Sequence, residues 1–326
     1  MSNGHPPAPR GAPRRRQLLR AFAGRKPPVG RPRTDELRQV VDEFEVGDLL
    51  VDDDGRVPVR WWAKADNFGD LLSPWLIGQL TGREVVHGDP DEPHYIAIGS
   101  VLNLTTPHSQ VWGAGCFGIE NGPRFDAGAT YHAVRGPLSH ARLRARGIPC
   151  PEVYGDPALL APAFFAPQVE KTHEYGVVAR WSERRWHDAE VSPDVKVIDL
   201  GTGDVEGVIA AILSCRAIVT GSLHGLIMAD AYGIPSAWVM SRTAYGGEYK
   251  YFDYFSTVNK FRNPRGFDTS RPVTAATLRA SFEFDDRPIE FDHRALLDVC
   301  PFLVRAGAGA RDTGSASNHT VVIASE

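Results

Sequence analysis

The sequence predicts an α/β fold in which parallel strands are joined by crossover helices. Short apolar runs alternate with helical patterns along most of the 326 residues, which is typical of such folds. The apolar runs end in glycine, arginine or a Gly-Asp pair, and ligands of open α/β sheets collect at those ends. The pattern breaks near residue 167 and then resumes. We therefore predict two Rossmann-like domains that face each other across a cleft.

The elements follow in order along the chain. In the first series, apolar runs predict strands at 95–98, 110–112 and 131–134. A basic helical pattern then predicts a helix at 138–146, which leads to a short apolar run at 153–154. The second series has the same alternation of strands and one helix, in the segments 175–180, 195–199, the helix 204–213, 217–219 and 236–239. These series predict domains at 35–167 and 168–305.

The two ends of the chain differ from this pattern. The first 33 residues hold nine basic residues, no acidic residue and many prolines, so we predict a disordered basic arm over 1–34. Residues 10–33 could contact an anionic membrane surface at the inner face, or the arm could be an inert tail. The small, polar segment 306–326 is predicted to be a flexible tail.

Composition excludes several classes of function. A net charge of −4 gives no overall attraction to nucleic acid. The four cysteines form no Cys-x-x-Cys pair, which argues against a zinc site or a disulfide framework and suits a reducing cytoplasm. The histidines form no His-x-x-x-His pattern with carboxylates. We therefore expect a cytoplasmic protein with no metal and no nucleic-acid partner.

The most informative segment is 220–225. An apolar run stops at Gly221 and a helical pattern opens at Ser222, Leu223 and His224. Free backbone N–H groups at such a helix start attract phosphate or carboxylate. His224 could donate to that anion or transfer a proton near neutral pH. The alternative is a polar cap before a core helix.

A second candidate site precedes the apolar helical pattern at 71–80. Asn67, Gly69 and Asp70 fall in a predicted loop at the start of that helix. Asp70 is a candidate acid or base. The alternative role for Asp70 is as a helix cap together with Asn67.

Two arginines stand at the ends of predicted strands. Arg135 and Arg180 should project at the carboxyl edge of their sheets, where a guanidinium can bind carboxylate or phosphate with two hydrogen bonds. A surface ion pair is the alternative for Arg135. Asp156, in a Gly-Asp-Pro turn, is interpreted as structural rather than catalytic.

Two enzyme motifs fit the sequence poorly. The glycines at 113, 115 and 118 match Gly-x-Gly-x-x-Gly, but no helix can easily start across 121–123 and no acid lies at the ribose-binding distance. We interpret them as allowing a tight turn near the cleft. A serine-hydrolase elbow needs a glycine where Thr220 stands.

Six motifs occur together in a characteristic order, between about residues 61 and 255: Asn67-Phe-Gly-Asp70, Ile98-Gly-Ser100, Val111-Trp-Gly-Ala-Gly115, Val134-Arg-Gly-Pro137, Tyr154-Gly-Asp-Pro157 and Ser222-Leu-His-Gly-Leu-Ile-Met-Ala-Asp230. In these motifs the chain resembles the polysaccharide pyruvyl transferases, and most of all the bacterial exopolysaccharide branch that forms ketals. The resemblance implies a GT-B-like pair of domains, phosphoenolpyruvate as donor substrate, and no cofactor.

The resemblance also implies roles for residues. His224 and Asp70 are the expected acid and base, in an order that stays open, and the expected substrate-binding residues are Arg135, Ser222, Leu223, Gly225, Asn67, Arg180 and Gly69. Several relatives carry arginine where this chain has Ser222, so phosphate binding could depend on Arg180 or Arg242. The acceptor would be a sugar hydroxyl, free or in a lipid-linked oligosaccharide.

Two other functions remain open on the sequence. A glycosyltransferase that uses a nucleotide sugar would suit the same cleft, and a non-catalytic sugar-binding protein could keep the same fold. The aromatic segment 249–255 could offer ring faces to an acceptor sugar or form a buried helix.

Overall fold

The structure is a computed structural model and describes residues 34–120, 125–180, 182–243 and 245–307. Its helices are α1 (Thr34–Val41), α2 (Phe68–Thr81), α3 (Pro137–Arg144), α4 (Ala161–Phe164), α5 (Val205–Leu213), α6 (Leu223–Ala231), α7 (Tyr249–Val258), α8 (Ala275–Ser281) and α9 (His293–Asp298). Its strands are β1 (Phe44–Val46), β2 (Val57–Val59), β3 (Val85–His87), β4 (His94–Ile96), β5 (Ser109–Trp112), β6 (Thr130–Ala133), β7 (His173–Ala179), β8 (Val195–Asp199), β9 (Cys215–Thr220), β10 (Ser236–Trp238) and β11 (Leu303–Arg305).

Two parallel sheets organise these elements. The first has five strands in the order β3-β2-β4-β5-β6, and the second has four in the order β10-β9-β7-β8. Their central strands are buried on both faces and consist mainly of apolar residues, as parallel strands covered by helices require. The prediction of an α/β fold with parallel strands is confirmed.

The two halves are packed together. One hydrophobic cluster includes Tyr95 and Trp112 from the first sheet and Val178 and Ile218 from the second. The last described strand also returns to the first: β11 pairs antiparallel with β1. The Trp112 indole donates to the carbonyl of Leu296 at 2.9 Å. Apolar burial between the halves therefore holds the intervening cleft in place.

Most predicted elements of the second series agree closely with the structure, whereas the first series shows differences. Strands β2 and β3 are absent from the predicted set. Pro58 interrupts the strand signal of β2, and the three residues of β3 are all at least partly exposed. Helix α2 begins at Phe68, so Gly69 and Asp70 lie in its first turn rather than in a loop. Segment 153–154 forms only a single bridge, between Tyr154 and Val134.

Several predictions concern chain ends. The basic arm lies outside the described residues except at its last position, and the tail lies outside them beyond residue 307. Within the described ranges, no helix combines the length and the apolar character needed to cross a bilayer.

Candidate active site

A cavity of about 510 Å³ lies between the two halves. Its lining residues follow strands of both sheets, at the edge where the carboxyl ends of parallel strands meet. They are Trp62, Lys64, Asn67, Asp70, Ser100, Val101, Asn103, Leu104, Phe117, Glu120, Arg180, Leu200, Ser222, Leu223, His224, Tyr245 and Lys250. The structure thus brings most of the sequence-predicted site residues together around one space.

The start of helix α6 forms one wall of this cavity. Ser222 precedes the helix in extended conformation, and its side chain caps no N–H group among the described residues. The Ser222 N–H itself donates to the Thr220 hydroxyl at 3.0 Å. A Cβ on Gly225 would lie 2.4 Å from that hydroxyl oxygen. Because Gly225 has no side chain, the Thr220 hydroxyl can pack against the first turn of the helix. The first N–H groups of the helix lack a side-chain cap among the described residues and can bind an anion.

His224 lies against the first turn of α2. A Cβ on Gly69 would be 2.1 Å from Nδ1 of His224, so only glycine allows this approach. On the other side, Nε2 lies 3.8 Å from Oδ2 of Asp156. Burial, with the nearby positive charges of Lys250 and Arg135, lowers the pKa of His224 to about 3. The free imidazole is therefore neutral at neutral pH.

Asp70 lies in the first turn of α2 and accepts a hydrogen bond from the Asn67 amide at 2.6 Å. Burial raises the pKa of Asp70 to about 6, against the lowering effects of Asn67 and Lys250. Gly99 has φ of 111°, and a Cβ there would lie 3.4 Å from Oδ1 of Asp70. The carboxyl group can thus hold a proton close to physiological pH.

Among the described residues of the lining, the lysine and arginine side chains are Lys64, Arg180 and Lys250. Arg180 donates to the Ser241 hydroxyl at 3.0 Å. Lys250 lies 5.4 Å from the ring centre of Phe117. Burial, followed by the charges of Arg180 and Arg135, lowers the pKa of Lys250 to about 7. An anion entering the cavity would meet these basic side chains, of which Arg180 and Lys250 are half-buried and Lys64 is exposed.

Lys250 is absent from the site residues predicted from the sequence. It belongs to the aromatic segment 249–255, which forms helix α7. Tyr251, Tyr254 and Phe255 are buried there, as the buried-helix interpretation predicts. The signal that could have identified Lys250 is a lysine beside Tyr249 at the start of such an apolar helix. Burying an ammonium group without a partner is costly, so a lysine in that position indicates a partner or a function.

Arg135 does not line the cavity. It is fully buried, and its Nε and Nη2 atoms each lie 3.1 Å from Oδ2 of Asp253. Nη1 donates to the Ser100 hydroxyl at 2.8 Å and Nη2 to the Cys116 carbonyl at 2.8 Å. The sequence predicts that Arg135 binds substrate, with a surface ion pair as the alternative. In the structure its ion pair is internal, and Ser100, to which it donates, lies in the described lining of the cavity. Arg242 is likewise absent from the described lining.

The glycines of the Gly-x-Gly-x-x-Gly segment allow side chains from other parts of the chain to pack directly against the backbone. A Cβ on Gly115 would lie 2.3 Å from Cζ of Arg135, and one on Gly118 would lie 2.4 Å from the ring of Tyr249. Gly113 has φ of 91° and Gly118 has φ of 83°, conformations that favour glycine. Within the described stretch up to residue 120 no α-helix follows them, which agrees with the interpretation as a turn.

Metal ligation has no support in the described ranges, where no group of three or more histidine, cysteine, aspartate or glutamate side chains could hold an ion. The four cysteines are free thiols.

Comparisons with known proteins identify relatives. Residues 124–242 match the model of the polysaccharide pyruvyl transferase family. The succinoglycan biosynthesis protein ExoV of Rhizobium meliloti (strain 1021) is 29% identical over 241 residues, 69% of this chain and 72% of that protein. The uncharacterized protein L143 of Acanthamoeba polyphaga mimivirus is 26% identical over 211 residues, 61% of this chain and 73% of that protein. A crystal structure of an uncharacterized Klebsiella pneumoniae protein aligns with a TM-score of 0.38 at 10% identity, over 65% of this chain and 93% of that one.

Proposed function

We propose that this chain, a relative of the polysaccharide pyruvyl transferases, transfers the pyruvyl group of phosphoenolpyruvate to a sugar in a polysaccharide or its precursor. The product is a pyruvate ketal, and phosphate is released. The observation that carries the proposal is the cavity itself, where a neutral histidine and a carboxyl group of raised pKa face basic side chains and a helix start.

The donor fits the charges of this cavity. Phosphoenolpyruvate carries a carboxylate and a phosphate, and the cavity offers Lys64, Arg180 and Lys250 together with the start of α6. A guanidinium and a helix N-terminus both bind such oxyanions well. We assign the phosphate to the N–H groups of α6 beside Ser222, and the carboxylate to Arg180 and Lys250.

The two titratable groups suit different steps. Asp70, with a pKa of about 6, can carry the proton that the methylene carbon of the donor needs. His224 is neutral and can accept a proton from the attacking sugar hydroxyl. The bound donor adds negative charge beside both groups, which raises their pKa values and makes the imidazole a better base.

Protonation of the methylene carbon gives a methyl group and an oxocarbenium-like centre at the adjacent carbon, and one sugar hydroxyl adds there as its proton leaves to His224. The bond from that carbon to the phosphate oxygen then breaks. A second hydroxyl of the same sugar closes the ketal, and its proton replaces the one that Asp70 gave up. The proton taken by His224 leaves with the phosphate.

The two parallel sheets with a cavity between their carboxyl ends support a pair of Rossmann-like domains of the GT-B kind. The acceptor sugar would enter past the aromatic side chains Trp62, Phe117 and Tyr245 on the cavity wall. Aromatic rings offer apolar faces to sugars.

Thermal unfolding with added ligands tests the donor. Phosphoenolpyruvate should raise the midpoint of the wild-type protein because it binds the native state only. Replacing Lys250 with methionine should remove most of that shift, whereas the same change at Lys196, outside the cavity on strand β8, should retain it. A rise in the midpoint with a nucleotide sugar and none with phosphoenolpyruvate would contradict this donor and indicate a glycosyltransferase.

Turnover tests the reaction. Carbon-13-labelled phosphoenolpyruvate and a panel of glycosides should give a new ketal methyl signal together with released phosphate. The His224→Gln and Asp70→Asn variants should bind the donor yet form the ketal at least about 100 times more slowly, the usual contribution of an acid or base. Unchanged turnover in both variants would place the chemistry elsewhere.

A further inference from the structure

Two buried polar atoms face each other beside the cavity without a hydrogen bond. Oδ2 of Asp156 and Nε2 of His224 lie 3.8 Å apart, and within the described part of the chain neither has a partner. Their side chains are 1% and 13% exposed, respectively. A buried carboxylate oxygen without a donor is costly, as is a buried ring nitrogen without a partner.

The other atoms of both side chains have fixed surroundings. Oδ1 of Asp156 accepts the N–H of Ala158 at 3.1 Å, which caps the short helix Pro157–Leu160. Nδ1 of His224 lies on the opposite side of the ring, against Gly69. Of the two oxygens of Asp156, Oδ2 is therefore the one left for His224, and a movement of less than about 1 Å would bring the pair within hydrogen-bond distance.

We infer that Asp156 is a positioning residue that holds a proton on Nε2 of His224 and leaves Nδ1 as the basic nitrogen for the reaction. The hydrogen bond made by one ring nitrogen decides the protonation of the other. Nδ1 is on the side of the first turn of α2, where Asp70 also reaches the cavity. This inference rests on the proposed function for its chemical meaning.

Charge supports the same assignment. Lys250 and Arg135 both oppose a positive imidazole, so a proton taken up by Nδ1 needs a compensating negative charge. Asp156 provides it from the far side of the ring. Burial raises the pKa of Asp156 to about 6, against the lowering effects of the Arg135 charge and the Ala158 N–H, so the carboxyl group is mostly ionised at neutral pH.

The tautomer of His224 can be measured directly. Nitrogen-15 NMR of the ligand-free protein, labelled at histidine and assigned by comparison with His224→Gln, should show the Nε2–H tautomer. Asp156→Asn keeps an oxygen for the Ala158 N–H and turns an amide N–H₂ toward Nε2. It should therefore convert His224 to the Nδ1–H tautomer.

Kinetics supply a second readout. Asp156→Asn should lower kcat by about 10- to 100-fold and leave KM for phosphoenolpyruvate within about threefold, because a wrong tautomer leaves donor binding intact. Asp204→Asn is the matched control: Asp204 caps helix α5 in the same way but is exposed and outside the cavity.

Either result decides the inference. A wild-type Nδ1–H tautomer, or an unchanged tautomer in Asp156→Asn, overturns it. If Asp156→Asn does not fold, the wild-type tautomer alone decides. The NMR measurement needs no substrate, so a protein that fails to bind phosphoenolpyruvate would refute the proposed function and leave the tautomer result standing.

Discussion

Arg135 and Asp253 form an ion pair of 3.1 Å in which both side chains are fully buried. Asp253 also accepts the N–H groups of Leu138 and Ser139, each at 2.9 Å, and the Ser139 hydroxyl at 2.6 Å. It thereby joins helix α7 of the second half to the start of α3 in the first. The wall of the cavity near Ser100 depends on this junction.

We expect Asp253→Asn to lower the free energy of unfolding by about 3–5 kcal/mol, because it removes the carboxylate that pairs with the buried Arg135 charge. Urea unfolding measures the effect. The Arg135→Met variant tests the pair: adding it to Asp253→Asn should cost much less than the sum of the two single changes. Additive losses would mean that the two charges do not interact in solution.

Gly69→Ala should reduce activity more than stability. Alanine is a better helix former than glycine by about 1 kcal/mol, but its Cβ would lie 2.1 Å from Nδ1 of His224. The ring must move, so we expect kcat/KM to fall at least about 100-fold, as for other small displacements of catalytic groups. Steady-state phosphate release measures this loss.

Gly78 provides the control on the same helix. A Cβ there would meet the Arg83 carbonyl oxygen at 3.5 Å and Val85 at 3.7 Å, which is ordinary contact. Gly78→Ala should therefore keep full activity and raise stability by about 0.5–1 kcal/mol. Equal activity losses in both variants would mean that α2 as a whole, rather than the contact with His224, is sensitive to substitution.

Much of this architecture could be predicted from sequence because its signals are local. The glycine after β9 and the helical pattern from Leu223 indicate a strand, a break and a helix within a few residues. The partner of Arg135 could not be predicted this way. Asp253 is 118 residues further along the chain, and only tertiary packing brings the two charges together.

The same reasoning explains the misassigned roles. A strand-end arginine is equally compatible with a cavity, a surface pair and a buried pair, since local sequence does not specify depth. The exposure of Lys250 could not be predicted because two local signals conflict: the aromatic residues around it indicate burial, and its charge indicates exposure. Such conflicts between local and global signals are expected at functional sites.

Asp70→Asn should make the protein more stable and less active. Its carboxyl pKa is about 6 in the folded protein against 3.8 in its unperturbed form. The folded state thus binds more protons, and stability from this group is lost as pH rises through 6. At pH 8 the variant should gain about 1–3 kcal/mol in free energy of unfolding, and this gain should shrink as pH falls toward 4.

Urea unfolding at pH 8 and pH 4.5 measures this difference, with Asp66→Asn, a change at an exposed position just before the site, as the control. The loss of activity should persist at both pH values. A variant that is less stable than the wild type at pH 8 would show that the Asn67 hydrogen bond outweighs the cost of burying the charge.

Binding of phosphoenolpyruvate should take up protons at pH 7.5. Lys250 has a pKa of about 7 in the free protein, so most of it is neutral there, and an anionic donor raises that pKa. Calorimetry in buffers of different ionisation enthalpy should give an uptake of between about half a proton and one proton per donor bound. The charges of Arg180 and Arg135 lower the pKa of Lys250, and the charge of Asp70 raises it. Because the Lys250→Met variant lacks the group that takes up the proton, it should lose most of the uptake and bind the donor more weakly. Lys196→Met should retain both; an uptake that survives in Lys250→Met would assign the proton to Asp70 or His224 instead.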